Sequence, residues 1–114
     1  MTRYDELALR CKALAHPVRL QILEMLRVGE ACVCHMEAGL GKRQAYISQQ
    51  LMVLREAGLV DSRKDGLQVF YRLSDSLTEE LLRVAFGDIE ASQRSPLEGC
   101  SCPHCSAAVV QSAS

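Results

Sequence analysis

Between Lys42 and Leu73 the apolar pattern changes period, and that change limits the folds open to the chain. Ile47, Leu51 and Leu54 recur at i, i+4 and i+7, one face of a helix. Gly58 stands where such a helix would end. The next segments read as strands: "LVDSRK", then Asp65-Gly66, then "LQVFYRL". Asp-Gly between two such runs signals a β-hairpin. A helix that feeds directly into a hairpin calls for a mainly α architecture with a small β element.

The rest of the chain supplies further helices. "TRYDELALRCKALA" reads as a helix opened by a capping-box-like pair, Thr2 and Asp5. "HPVRLQILEMLRVG" reads as a second, with Pro17 at a first helical position, where its missing N–H costs nothing. Leu20, Ile22, Leu23, Leu26 and Val28 form its apolar stripe, and Gly29 ends it. A short helix is expected over Ala31 to Ala38, stopping at Gly39 or Gly41. The last helix is expected over "SDSLTEELLRVAFGDIEASQ", capped by Ser76 and Glu79, with Leu77, Leu81, Leu82, Val84, Ala85 and Ile89 as its apolar supply. Gly87 in that run marks either a close backbone approach or an early break, at a cost of roughly 1 kcal/mol against Ala. After Gln93 the chain turns rich in Ser, Gly, Pro and Cys. Two domains follow: residues 1–92 as the folded unit, and 93–114 as a Cys-rich flexible tail.

The 114 residues suffice for one core without disulfides. Aromatics are 4% and Trp is absent, so Leu, Val, Ile, Ala and Met must build that core. No stretch approaches the roughly 18 apolar residues of a membrane span, and the charged N-terminus lacks a signal core. A soluble cytoplasmic protein is expected. There the six cysteines point to metal or redox chemistry rather than structural disulfides.

A short helix, a tight turn, a longer helix with a small polar face and then a hairpin is the layout of a winged helix-turn-helix. The second helix of such a unit enters the DNA major groove. Gln can pair bidentately with adenine, and Ser with several bases. The whole chain carries −1, yet Lys42 to Arg72 holds six basic and three acidic residues, a local excess of +3. Arg63 and Lys64 at the hairpin tip suit phosphate contact. A merely solvated polar face would read similarly.

"ALAHPVRLQILEML", "CVCHM", "QAYISQQLMVLREAGLV" and "RKDGLQVFYRLSD" resemble, in order and spacing, the ArsR/SmtB family of metal-sensing transcriptional repressors. The resemblance runs from about Leu9 to Asp75. It implies a homodimer of about five helices plus a wing, bound to imperfectly palindromic double-stranded operator DNA and released by an inducer. By position it places Lys42, Arg43, Gln44, Ala45, Tyr46, Ser48, Gln49, Gln50, Arg63 and Lys64 at the DNA. Many relatives have His where this chain has Gln50.

Cys32 and Cys34 are the first candidate sensing residues. Thiolates are soft ligands, suited to Zn, Cd, Pb, Cu(I) and trivalent arsenic. Residues i and i+2 inside a helix point about 200° apart. The two thiols can therefore share an ion only at a frayed first turn or in a distorted helix. Thiol-sensing relatives often carry "CVC" here, followed by Asp; this chain has His35, and Glu37 where some arsenic sensors have a third cysteine.

The tail offers Cys100, Cys102 and Cys105, with His104 between them. The expected inducer is arsenite, antimonite, Cd, Pb or Zn, held by Cys32, Cys34 and one or two tail cysteines, with His35 and His104 auxiliary. The tail as a separate metal site stays open. Cys11 is expected in the core and His16 at a helix-start turn. The family's other metal site, on the last helix, matches Asp75, Leu77, Asp88 and Ala91 here; it lacks any imidazole and is expected to be absent.

Three rival functions remain. Paired cysteines can switch the same scaffold by disulfide or persulfide formation, without metal. "CPHC", Cys102 to Cys105, matches a thiol-oxidase tetrapeptide, but the nine residues after it cannot build a thioredoxin-like fold. A metal buffer with a vestigial DNA-binding layout is the third. The chain is expected not to be an enzyme.

Overall fold

A computed structural model describes residues 2–89. Five helices and three strands follow in the order α1 (Arg3–Leu14), α2 (Pro17–Val28), β1 (Ala31–Cys32), α3 (Val33–Leu40), α4 (Gln44–Glu56), β2 (Val60–Asp65), β3 (Gln68–Leu73) and α5 (Ser76–Phe86). The mainly α architecture with a small β-hairpin is as expected. No helix among the described residues is long and apolar enough to cross a membrane.

Local chemistry sets most of these boundaries. Thr2 caps α1 in a reciprocal box: its hydroxyl accepts from the Asp5 N–H at 3.2 Å, and its own N–H donates to Asp5 at 3.1 Å. Pro17 is the first residue of α2, with His16 in extended conformation before it. The end of α4 is a Schellman turn: Gly58 N–H reaches Arg55 O and Leu59 N–H reaches Leu54 O, both at 3.0 Å. That turn needs the φ of +80° that Gly58 adopts. It sends the chain straight into β2.

β2 and β3 pair antiparallel from Val60↔Leu73 to Asp65↔Gln68. Gly66, at φ +61°, supplies the one positive φ of the two-residue loop, so the loop is of the II′ kind favoured between twisted strands. The third strand, β1, was not expected. It pairs Ala31 with Tyr71 and Cys32 with Phe70, giving the order β1-β3-β2. The expected helix over Ala31 to Ala38 is thereby corrected: its first two residues are strand, and the helix runs on to Leu40. Ala31 and Cys32 bury their side chains, and β3 supplies their backbone partners.

Ile22 and Leu23 of α2, Met36 of α3, Ile47, Leu51 and Leu54 of α4, and Leu59 and Val60 at the start of the hairpin make one core. Met36 ties α3 to α4 within it, so a shift of α3 is felt by α4.

Two expectations about α5 are corrected. The helix ends at Phe86, with Gly87 as its C-cap at φ +87°, so the early break is the reading that holds. Its N-cap is Asp75, not Ser76 with Glu79: the Asp75 carboxylate accepts from the Thr78 N–H at 3.1 Å and the Thr78 hydroxyl at 2.6 Å. Asp75 is the last residue in extended conformation, where a side chain can turn back onto the first helical N–H groups. The same carboxylate receives Arg10 of α1, Nε at 2.9 Å and Nη2 at 3.2 Å.

The Arg10 hydrogen bond, with help from Thr78, holds the Asp75 carboxyl below the usual carboxylate range. Replacing Asp75 by Ala should cost about 1 kcal/mol for the cap alone, with the ion pair lost in addition. Asp75→Asn keeps a good cap and removes only the charge. A depressed folded-state pKa gives stability that is full above the unfolded value of about 3.9 and is lost as pH falls through the folded value. Urea denaturation should therefore show wild type more stable than Asp75→Asn at pH 7. The gap should close as the pH falls below about 4. An equal gap at pH 7 and pH 3 would contradict this account.

Candidate nucleic-acid interface and thiol pair

α3, a three-residue turn (Gly41, Lys42, Arg43) and α4 form the helix-turn-helix, and β2–β3 form the wing. Gln44, Ala45 and Gln49 are exposed on α4, and Tyr46 and Ser48 are half-buried. Lys42 and Arg43 precede the helix and are exposed. Gln50 corrects the sequence reading: it is only 9% exposed and shares the inward face of α4 with Ile47, Leu51 and Leu54. It is three residues beyond Ile47 and one short of Leu51, a spacing that turns it inward.

The wing carries less available charge than the sequence implies. Arg63 donates Nε to Glu30 at 2.8 Å and Nη2 at 2.5 Å, and Asp65 approaches its Nη1 at 3.6 Å. Its guanidinium lies 4.9 Å from the Phe70 ring centre. Glu30 keeps the Arg63 guanidinium more firmly protonated than usual. Arg72 lies 3.6 Å from Asp61. Of the six cations between Lys42 and Arg72, Lys42, Arg43, Arg55 and Lys64 are outside any ion pair with a described residue.

Leu67, at the tip, is 99% exposed. The sequence reading passed over Glu30, Phe70 and Leu67. The Asp-Gly turn signals where Leu67 would lie. Nothing local signals a contact between Glu30 and Arg63, which are 33 residues apart.

Two variants separate the roles of helix and wing. Gln49→Ala should cost about 1–3 kcal/mol on the preferred operator, roughly 5–150-fold, and relax preference at one base position. Lys64→Ala should weaken all DNA sequences alike and flatten the dependence of log K on log[salt] by about 1 per wing. Fluorescence anisotropy on two operator sequences over a salt series reads both. A sequence-selective loss from Lys64→Ala would contradict the assignment.

The thiols meet at the junction of β1 and α3. Cys32 is the N-cap of α3, extended at φ −89° and ψ 168°, and its sulfur accepts from the His35 N–H at 3.4 Å. Cys34 is the second helical residue. The two Sγ atoms are 2.7 Å apart. The difficulty of i and i+2 diverging inside a helix falls away because Cys32 lies outside the helix. N–H groups at a helix start favour a sulfur carrying negative charge. Cys32 is 1% exposed and packs on Phe70, whereas Cys34 is half-buried beside them.

Cys11 departs from the sequence reading, being exposed on α1, with Tyr4 and Leu7 seven and four residues before it. His16 does lie at the start of α2.

The sulfurs suit a soft ion as part of a donor set. Two thiolates at about 2.3 Å on a tetrahedral ion sit roughly 3.7 Å apart, so this pair would have to open by about 1 Å. Among the described residues no group of three or more Cys, His, Asp or Glu side chains gathers as a metal site. Cys100, Cys102, His104 and Cys105 lie outside the described residues, as does any test of a shared site. His35 is half-buried on α3 next to the pair.

Comparison with known proteins places this geometry in a family. Residues 16–62 match the family described as bacterial regulatory protein, arsR family. The biofilm growth-associated repressor of Agrobacterium fabrum is 45% identical over 84 residues, covering 74% of this chain and 72% of that protein. The transcriptional repressor BigR of Xylella fastidiosa superposes with a TM-score of 0.66 at 39% identity, over 78% of this chain and 100% of that one. A homodimeric winged helix-turn-helix DNA-binding domain of Mycobacterium bovis gives 0.67 at 33% identity, over 72% and 76%. The chain belongs to the ArsR family: it is a winged helix-turn-helix transcriptional repressor, not an enzyme.

Proposed function

We propose that the protein binds a palindromic operator as a homodimer and leaves it when the Cys32–Cys34 dithiol is oxidised. The observation that carries this reading is the 2.7 Å approach of the two sulfurs at the start of α3. In the first step the Cys34 thiolate attacks a peroxide oxygen. The O–O bond breaks, Cys34 becomes a sulfenic acid, and the departing hydroxide takes up a proton to form water. Cys32 then attacks the sulfenic sulfur; the S–S bond forms, the S–O bond breaks, and a second water leaves. Two thiols and one hydrogen peroxide give one disulfide and two waters. The new bond ties β1 to the first turn of α3. Met36 couples that helix to the DNA-reading α4 through the shared core.

Exposed apolar side chains on α1 and α5 support the dimer, since patches of this kind mark association surfaces. A thiophilic ion as inducer is the second reading. It is favoured by the soft donor pair and by three more cysteines at 100, 102 and 105. Arsenite, antimonite, Cd, Pb and Zn all suit such donors.

Operator binding of the reduced full chain, with and without peroxide, tests the first reading. Peroxide should weaken binding by about 5–150-fold, the span of a 1–3 kcal/mol coupling. A thiol reductant should restore it, and Cys32→Ser should abolish the response. If peroxide has no effect while Cd or arsenite releases the operator, the metal reading replaces the redox one. If that release also requires residues beyond Ser95, the tail cysteines belong to the site.

A further inference from the structure

Arg63 sits where a wing should reach phosphate, yet an acidic residue from a distant part of the chain holds it. Glu30 ends the α2–β1 link, and β1 lies two strands from β2 across β3. The register puts Cys32 opposite Phe70 and Phe70 opposite Arg63, so the three side chains form one row on one face of the sheet. Phe70 provides the surface on which the guanidinium lies, at 4.9 Å. Glu30 takes Nε and Nη2 side-on, as a carboxylate takes a planar fork.

A phosphate would have to approach the same guanidinium beside the Glu30 carboxylate, and two anions at one cation repel. The side chain of Arg63 is 52% exposed and that of Glu30 30%, so the pair stands at the surface.

We infer that Glu30 is a positioning residue that withholds Arg63 from operator phosphate. On this view the wing grips DNA through Lys64 and keeps the second cation in check. The proposal rests on the reading that this hairpin meets the operator. It adds that an internal carboxylate sets how strongly the wing does so, and it makes Glu30 a determinant of affinity without touching DNA.

The test is a double-mutant cycle on the full-length reduced protein, with Lys64→Ala alongside. Operator binding is followed by fluorescence anisotropy across a salt series. Glu30→Gln should tighten binding by about fivefold at low salt and steepen the log K against log[salt] slope by about 0.9 per wing, the value for one further phosphate contact. With Arg63→Gln also present, Glu30→Gln should have no effect on either quantity. A merely structural role for Glu30 would leave the salt slope unchanged.

Three results would overturn the proposal. The first is an unchanged slope in Glu30→Gln while Lys64→Ala weakens binding; the wing then meets DNA and Glu30 restrains nothing. The second is weaker binding in Glu30→Gln, in which case the carboxylate orients Arg63 for DNA. The third is silence from both Lys64→Ala and Glu30→Gln, which removes the wing contact on which the proposal stands.

Discussion

Glutamate at both Leu81 and Val84 should leave the fold intact, split the protein into monomers and lower operator affinity by about a thousandfold. Leu77, Leu81 and Val84 recur at i, i+4 and i+7 on α5, with relative exposures of 42%, 38% and 73%. Leu82, by contrast, is 2% exposed and points into the core. A helix with an apolar stripe on both sides has more to bury than one chain covers. α1 presents Tyr4 and Leu7, 72% and 45% exposed, and α5 meets α1 through the Arg10–Asp75 pair. Two copies joined through α1 and α5 would cover these side chains. Four carboxylates buried in the joint would cost far more than the apolar contact contributes. A monomer then reads one half-site. It loses the second set of base and phosphate contacts, which is why the effect should exceed that of any single DNA-facing substitution. Sedimentation analysis reads the oligomeric state, circular dichroism the fold, and anisotropy the affinity. A variant that stays dimeric would move the interface off this face.

Much of the scaffold was legible because its signals are local. Thr2 and Asp5 cap the helix they open, Pro17 starts α2, and the Asp65-Gly66 pair marks the hairpin, with Gly66 as the first residue of its loop. The features that the sequence does not signal depend on partners remote in sequence. β1 is two residues long and exists only through pairing with Tyr71 and Phe70, some 40 positions away. Without that strand Cys32 looks like part of a helix, and the two thiols seem to diverge. Arg63 reads as an unpaired cation of the wing until Glu30 is brought beside it. Gln50 reads as a polar recognition residue until the crossing of α4 with the core turns it inward. No local pattern singles out Asp75 as the cap, because Ser76 and Glu79 make an equally good box one residue later. Asp75 is favoured because it also meets Arg10, a contact that no local pattern contains.

The asymmetry of burial across the sulfur pair predicts an order of reaction. Under trace iodoacetamide, Cys11 and Cys34 should be modified first and Cys32 about a hundredfold more slowly. Cys11 is exposed, Cys34 half-buried, and Cys32 1% exposed beneath Phe70. Reagent reaches a buried thiol only through local opening, and an opening free energy of about 3 kcal/mol slows labelling by roughly 150-fold. Peptide mass spectrometry over time gives the three rates side by side, with Cys11 as the internal standard for an exposed thiol. On the proposed redox reading the same asymmetry would divide the oxidation steps: the accessible Cys34 would meet peroxide, and the buried Cys32 would resolve the sulfenic acid before it oxidises further. Brief peroxide treatment should therefore leave a peptide lacking two hydrogens and spanning Cys32 and Cys34, with little sulfinic acid at Cys34. In Cys32→Ser the resolving step is gone, and sulfinic acid at Cys34 should accumulate. Equal alkylation rates at Cys32 and Cys34 would remove the basis for this division of labour. Protection of both thiols by stoichiometric Cd in the full chain, lost when the chain ends at Ser95, would assign the pair to a metal site completed by the tail instead.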